Sequence, residues 1–165
     1  MRVKGFRVRV AEAADLAEVV ALERGIAEAP HWAEAEYAAM VNTDRRVDGL
    51  IRRCFFVAEV EGRLLGFSVG KVIGSGAGAV AELESVAVDG SVRRLGVGRA
   101  LCEAVVAWCR GQGAEALELE VRAGSDGAIA LYASLGFTAT GRRGGYYLEP
   151  VEDAVLMRLN LVKDL

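Results

Sequence analysis

The sequence is poor in residues on which several large classes of protein depend. His31 is the only histidine, so a Ser–His or Cys–His nucleophile pair would have to use it, and nothing around it marks a base. The three cysteines, Cys54, Cys102 and Cys109, are an odd number without a Cys-x-x-Cys pair. This pattern indicates neither a disulfide framework nor a zinc site. We therefore predict no metal and a reducing, cytoplasmic environment.

Positive charge and long apolar runs are also scarce. The formal net charge of −3 argues against a nucleic-acid partner, because affinity for the phosphate backbone needs a surplus of Lys and Arg. Every apolar segment is interrupted by charge or is too short to cross about 30 Å of hydrocarbon, and Met1 to Val10 lacks the apolar core of a signal peptide. We predict no membrane partner and a single domain over residues 1–165.

The apolar periodicity predicts a mixed α/β fold. The order strand, helix, strand in the middle of the chain implies a parallel crossover pair. Asn42 to Arg53 has a weak, charged pattern and is predicted to be mostly loop. We expect one mixed sheet of about six or seven strands flanked by about four helices. The predicted strands are Phe6–Val10, Phe55–Val60, Leu64–Val72, Val80–Val88, Ala116–Val121, Phe137–Arg142 and Ala154–Leu161, and the predicted helices start at Asp15, Glu34, Val97 and Asp126.

The predicted strand Val80–Val88 carries two acidic residues. Successive side chains of a strand point to opposite faces of the sheet. One face is therefore predicted to hold Glu82, Glu84, Val86 and Val88, and the other to hold Leu83, Ser85 and Ala87.

The segment Arg93–Arg99, R-R-L-G-V-G-R, lies where this strand has ended and a helix begins. The first N–H groups of that helix have no partner within it, the helix dipole favours an anion, and the arginines add full charges. The segment predicts a pyrophosphate-binding loop. A P-loop is excluded because Gly98 is followed by Arg99 and not by Lys-Ser/Thr. A dinucleotide site stays open, since Glu118 follows about 20 residues later, although Leu101 replaces the third glycine.

Further motifs resemble the GNAT superfamily of acyl-CoA-dependent N-acetyltransferases. The run Glu82–Asp89, followed by Arg-x-x-Gly-x-Gly from Arg93, is similar to that family's central strand and pyrophosphate loop. The last half of the chain more narrowly resembles the ribosomal-protein-alanine N-acetyltransferase (RimI-like) branch. That resemblance rests on Leu119–Arg122, Ala130–Tyr132, Leu135–Phe137, Tyr146-Tyr147 and Glu152–Ala154.

The resemblance implies a GNAT-like sheet and direct acetyl transfer from acetyl-CoA to a primary amine. Glu120 would be the general base and Tyr132 the general acid. Trp32 and Tyr147 would line the acceptor site, although Pro30-His31-Trp32 replaces the branch's Pro-Trp. Ser125 would contact the carrier from a position where the family usually has Asn. The residues expected to bind acetyl-CoA are Val86, Ala87, Val88, Arg93, Arg94, Leu95, Gly96, Val97, Gly98, Arg99 and Ser125.

The identity of the acceptor and of the base is left open by the residues. An α-amine costs about 1 kcal/mol to deprotonate at pH 7 and a lysine about 4 to 5, which favours a protein N-terminus. A small amine, such as a polyamine, an antibiotic or an amino-acid derivative, is the first alternative, and a non-catalytic acyl-CoA sensor is the second. Glu82 and Glu84 are rival bases. The sequence gives no indication of the oligomeric state.

Overall fold

The computed structural model describes residues 5–27, 29–41, 51–74, 78–93 and 95–162. Over these ranges the chain forms one seven-stranded sheet and four α-helices, which confirms the predicted mixed α/β fold. The strands are β1 Arg7–Val10, β2 Ile51–Val60, β3 Arg63–Ile73, β4 Val80–Val88, β5 Ala116–Arg122, β6 Thr138–Leu148 and β7 Val151–Asn160. The helices are α1 Leu16–Arg24, α2 Glu34–Val41, α3 Val97–Gly111 and α4 Asp126–Ser134.

The strand order is β1-β2-β3-β4-β5-β7-β6. All neighbouring pairs are antiparallel except β4 and β5, which are parallel and joined through α3, as predicted. Among the described residues no helix is both long and apolar enough to cross a membrane.

The predicted loop Asn42 to Arg53 is wrong at its end, because β2 begins at Ile51. Arg52 and Arg53 pair with Val72 and Lys71 of β3, so strand pairing overrides their polar pattern. Both side chains also find acceptors, since Arg52 Nη2 donates to the Gly74 carbonyl at 3.0 Å and Arg53 Nε donates to the Glu84 carboxylate of β4 at 3.1 Å. Residues 42–50 and 75–77, which cover the rest of that loop and most of the glycine-rich connection, lie outside the described part of the chain.

Helices cover both faces of the sheet. On one face, α3 and α4 pack on the sheet in a core that includes Cys102, Val105 and Leu119. On the other face, α1 and α2 pack on the sheet in a core that includes Tyr37 of α2 and Phe67 of β3. The cysteines are buried and free, and burial raises the pKa of the Cys102 thiol to about 12. These thiols therefore act as apolar core residues.

A β-bulge interrupts β4 at Glu84. The register passes from Leu83, opposite Gly70, directly to Ser85, opposite Val69, so Glu84 is the extra residue that has no register partner on β3. Beyond the bulge, the residues of β4 that were expected to point to one face of the sheet point to the other face. Leu83 and Val86 both pack on the α3 side, which makes the predicted uninterrupted alternation of this strand wrong.

The bulge lies where β4 and β5 separate. Their parallel pairing is confined to Ala81 with Leu117 and Glu82 with Glu118, although both strands continue for several residues. The carboxyl ends of the two strands therefore open a gap in the middle of the sheet, and the candidate site lies in this gap.

Candidate active site

Two clefts meet where β4 and β5 separate. The first, here called the loop cleft, has a volume of about 920 Å³ and is lined by Val86–Val88, Arg93, Gly96, Gly98, Arg99 and the start of α4. The second, the strand cleft, has a volume of about 470 Å³ and is lined by Glu84, Glu120, Arg122, Tyr147 and the segment after α1. Five residues line both clefts: Ile26, Val86, Ser125, Ala128 and Tyr132.

The amino terminus of α3 lies at the wall of the loop cleft. Gly96 is the N-cap at a φ of +91°, a left-handed conformation that favours glycine, and it provides no side-chain cap. Its carbonyl accepts the Ala100 N–H at 3.1 Å, so the three N–H groups before Ala100 have no acceptor within the helix. These donors and the positive end of the helix dipole can bind an anion.

Glycine also keeps the cleft wall free at Gly98. A Cβ added there would lie 3.5 Å from both Leu131 Cδ2 and Val88 Cγ2, so one methyl group fits while any larger side chain would enter the cleft. Arg93 Nε donates to the Val88 carbonyl at 3.3 Å, and Arg99 Nη1 donates to Ser134 Oγ at 3.0 Å. Both guanidinium groups are thus anchored beside the helix terminus.

Most residues expected at this loop line the cleft, and two do not. The side chain of Val97 is buried against the sheet, and that of Leu95 packs on the same cluster. Only their backbone groups remain for ligand binding. Arg94 lies outside the described residues. The other residues predicted to bind the cofactor, which are Val86, Ala87, Val88, Arg93, Gly96, Gly98, Arg99 and Ser125, all line the loop cleft.

Glu120 is the carboxylate of the strand cleft with the fewest cationic neighbours. Its Oε1 lies 3.4 Å from Nε of Arg143, an exposed residue of β6, and its side chain is 27% exposed. The Tyr146 hydroxyl donates a hydrogen bond to Glu120, and this bond raises the pKa of Tyr146. Glu120 is therefore partly exposed in the strand cleft, and both of its contacts are with residues of the edge strand β6.

The rival acids are placed differently. Glu84 lies in the strand cleft, but its carboxylate contacts Arg53 Nε at 3.1 Å and Lys71 Nζ at 3.2 Å. Glu82 also contacts Lys71, at 3.6 Å, and lines neither cleft. The geometry thus favours Glu120 over both as a base.

Tyr132 lies on α4 at the junction of the two clefts. Its ring packs against Phe137, with the ring centroids 5.8 Å apart. Burial raises the pKa of Tyr132 above its usual value, with smaller contributions from Cys102 and Tyr147. The hydroxyl is consequently neutral and carries a proton at physiological pH.

Of the two aromatic residues predicted at the acceptor site, only Tyr147 lines the strand cleft. The Trp32 ring packs on Tyr37, with centroids 5.4 Å apart, and the structure does not bring it to either cleft. The role of Trp32 in substrate binding stays a prediction, and the position of its ring argues against that role.

The segment after α1 reaches the cleft through residues that sequence reasoning missed, namely Ile26, Ala29 and Pro30. The fully buried Glu23 holds this segment, since its Oε1 accepts the His31 N–H at 2.8 Å and its carboxylate also pairs with Arg24. Arg122 was missed as well. It shares a strand face with Glu120 two residues away, which was the available signal.

Comparisons with known proteins identify the family of the chain. The model of the acetyltransferase (GNAT) family matches residues 17–137. The chain is 44% identical over 81 residues to [ribosomal protein bS18]-alanine N-acetyltransferase of Escherichia coli (strain K12), a match that covers 48% of this chain and 55% of that protein. The chain thus spans about half the length of the curated relatives it matches.

Solved structures match over nearly the whole chain. The crystal structure of the ribosomal-protein-S18-alanine N-acetyltransferase from Escherichia coli has a TM-score of 0.78 and 29% identity, covering 98% of this chain and 97% of that one. NAA60 of Arabidopsis thaliana in complex with acetyl-CoA has a TM-score of 0.79 at 21% identity, covering 94% and 99%, and shares the fold. The family match, which extends over most of the sequence, shows that the chain belongs to the acetyltransferase (GNAT) family.

Proposed function

We propose that this chain transfers an acetyl group directly from acetyl-CoA to a primary amine, and that the amine is the N-terminal α-amine of a protein. The observation that carries the proposal is the meeting of the two clefts at Tyr132, with an anion-binding helix terminus in one and Glu120 in the other. The single domain over residues 1–165 and the cytoplasmic environment stay predictions.

The loop cleft fits acetyl-CoA. Its unpartnered helix N–H groups and the wall kept open at Gly98 match a pyrophosphate, and Arg93 and Arg99 add positive charge. The backbone of Val86–Val88 would hold the pantetheine arm along β4, while Ser125 would contact it from α4. When bound, acetyl-CoA supplies the acetyl group as an activated thioester.

The strand cleft fits the amine. Glu120 would take a proton from the acceptor ammonium, because its carboxylate lines the cleft and, among the described residues, pairs with a single cation, the exposed Arg143. Tyr132 Oη keeps its own proton, since burial raises its pKa, and would donate that proton to the departing sulfur as the C–S bond breaks, while the second proton of the amine nitrogen would replace it on the tyrosine oxygen. No residue of the chain is acylated in this scheme.

The cost of deprotonation favours an α-amine. At pH 7 an α-amine loses its proton for about 1 kcal/mol and a lysine for about 4 to 5 kcal/mol, so an α-amine is the easier substrate for a single carboxylate base. The Escherichia coli relative is named an alanine N-acetyltransferase of a ribosomal protein, which also supports a protein N-terminus. The small-amine alternative is favoured by one observation, since a cleft of about 470 Å³ is the size of a small-molecule site.

An acceptor panel tests the proposal by release of free thiol from acetyl-CoA. Peptides with a free N-terminus are expected to be turned over, and the same peptides with a blocked N-terminus serve as matched controls. From the proton costs, kcat/KM for lysine side chains should be lower by about 100-fold or more. Preference for a polyamine or another small amine would instead support the alternative. Binding of acetyl-CoA without turnover of any acceptor would support the second alternative, a non-catalytic acyl-CoA sensor.

A further inference from the structure

Arg122 is a cation in the strand cleft that the proposed chemistry does not use. It is the last residue of β5, two positions after Glu120, and its side chain is only 16% exposed. A long charged side chain is seldom buried to this extent unless its donors are satisfied.

The Arg122 guanidinium contacts both strands of the β6–β7 hairpin. Its Cζ lies 4.2 Å from the centroid of the Tyr147 ring on β6, and its Nη1 lies 3.3 Å from Glu152 Oε1 on β7. Tyr147 and Glu152 are register partners in that hairpin. Nη1 also donates to the Pro150 carbonyl in the turn at 3.3 Å. One side chain of β5 therefore holds the end of the hairpin at three points.

The contact continues to the start of α4. Glu152 Oε2 accepts the Gly124 N–H at 2.6 Å. A Cβ added at Gly124 would lie 2.6 Å from the same oxygen, so only glycine allows this approach. Gly124 lines the loop cleft. The Arg122–Glu152 pair thus joins the wall of the strand cleft to the wall of the loop cleft.

Contacts other than those of Arg122 fix the middle of β6, where Arg143 pairs with Glu120 at 3.4 Å and the Gly145 N–H donates to Asp153 Oδ1 at 2.9 Å. β6 is an edge strand, and all of its residues except Tyr147 are exposed. Its pairing with β7 is irregular between Arg143 and Tyr147, and Leu148 and Val151 at the turn are 76% and 73% exposed. The Tyr147 ring packs on the Tyr146 ring, with centroids 5.1 Å apart, and on the Arg122 guanidinium, so Arg122 supplies the contact between this ring and the end of β5.

We propose that Arg122 is a positioning residue for the acceptor, which holds the Tyr147 wall of the strand cleft against the first turn of α4. The inference rests on the proposed function for the nature of the acceptor, an amine of a peptide, but the contacts that carry it are independent of that identity. Arg122 acts through Tyr147 and Glu152, and takes no part in the proton transfers.

The kinetic test compares Arg122→Met with two other variants. Arg122→Met should raise KM for the acceptor peptide by about tenfold, equivalent to roughly 1.4 kcal/mol, and leave kcat and KM for acetyl-CoA within about twofold. Arg122→Lys keeps the charge over the Tyr147 ring but lacks the planar fork, so it should restore part of the loss. Arg142→Met removes an exposed guanidinium and its 3.5 Å ion pair with Asp153 from the same hairpin, and should leave all three constants unchanged.

Hydrogen–deuterium exchange provides a second measurement that needs no turnover. In Arg122→Met, amides of residues 144–152 should exchange faster than in the wild type, whereas those of residues 51–73 should not change. If no acceptor is turned over, the proposed function fails, and the exchange data still decide whether Arg122 positions the hairpin. Unchanged exchange at residues 144–152 would overturn the inference, as would a fall of kcat in Arg122→Met without a change in the acceptor KM.

Discussion

The loop cleft and the strand cleft are built in different ways. Apart from Ile26, the loop cleft is lined by two short segments, the end of β4 with the turn into α3 and the first two turns of α4 with the residues just before them. The strand cleft is formed by side chains from five places along the chain, of which Glu120, Tyr132 and Tyr147 are the ones proposed to act. A change in the first should therefore alter binding of acetyl-CoA, and a change in the second should alter the acceptor or the chemical step.

The largest effect is expected for Glu120→Gln in the strand cleft. If Glu120 is the base, its amide analogue cannot take the ammonium proton, and kcat should fall by about 10³-fold. KM for acetyl-CoA should stay within about twofold, because Glu120 lies outside the loop cleft. Steady-state kinetics with an N-terminal peptide measures both constants.

Glu118→Gln is the matched control for this change. Glu118 lies on the same face of β5, two residues earlier, and its carboxylate pairs with Arg158 Nη1 at 2.8 Å outside both clefts. Its kinetic constants should match those of the wild type. Full activity in Glu120→Gln would show that the base is elsewhere, with Glu84 the next carboxylate in the strand cleft.

Tyr132→Phe should have the next largest effect, because Tyr132 belongs to both clefts. Loss of the hydroxyl should lower kcat by about 10²-fold if it donates the final proton. The pKa of Tyr132 is raised by burial, so its hydroxyl stays protonated as the pH rises past its usual value of 10.0, and its donor role is lost only above the raised pKa. The ratio of wild-type to variant kcat should therefore be constant between about pH 7 and 9. A ratio that falls within this range would contradict the assignment.

Gly98→Leu tests the loop cleft alone. Because a Cβ at Gly98 already touches Leu131 and Val88, a longer side chain must enter the cleft, and KM for acetyl-CoA should rise by about tenfold. The acceptor KM should not change. Gly98→Ala is the control, since its methyl group makes only ordinary contacts at 3.5 Å. An increase confined to the acceptor KM would contradict the assignment of acetyl-CoA to the loop cleft.

The same difference explains what could be predicted from the sequence. Glycines, arginines and a helix start are adjacent in the chain, so the loop cleft follows from local rules. Val97 was expected to bind the cofactor, but its side chain is buried. The helical repeat that buries Leu101 and Val105 also turns the Val97 side chain towards the core. The β4 bulge was not predicted, since strand alternation in the sequence looks the same with or without an extra residue.

The strand cleft depends on contacts between distant segments, which short patterns do not reveal. Trp32 was predicted to line it as an aromatic residue near the family's Pro-Trp position, although His31 separates it from Pro30, and His31 has a left-handed φ of 54°. Arg24 then donates to the Trp32 carbonyl at 2.6 Å, and the ring packs on Tyr37. Glu120 was found through resemblance combined with strand alternation, whereas the contacts of Arg122 required the fold.

The smallest effect is expected for Ser125→Asn, at the boundary of the two clefts. Ser125 is the N-cap of α4 without a side-chain cap bond, and its side chain is shorter than the Asn usual in the family. The longer amide could add one hydrogen bond to bound acetyl-CoA, worth about 0.5–1.5 kcal/mol. The dissociation constant of acetyl-CoA, measured by calorimetry, should fall by about two- to tenfold in the variant, and the acceptor KM should not change. A weaker affinity would mean that the cleft beside Ser125 has no room for the extra atoms, and that serine is required there.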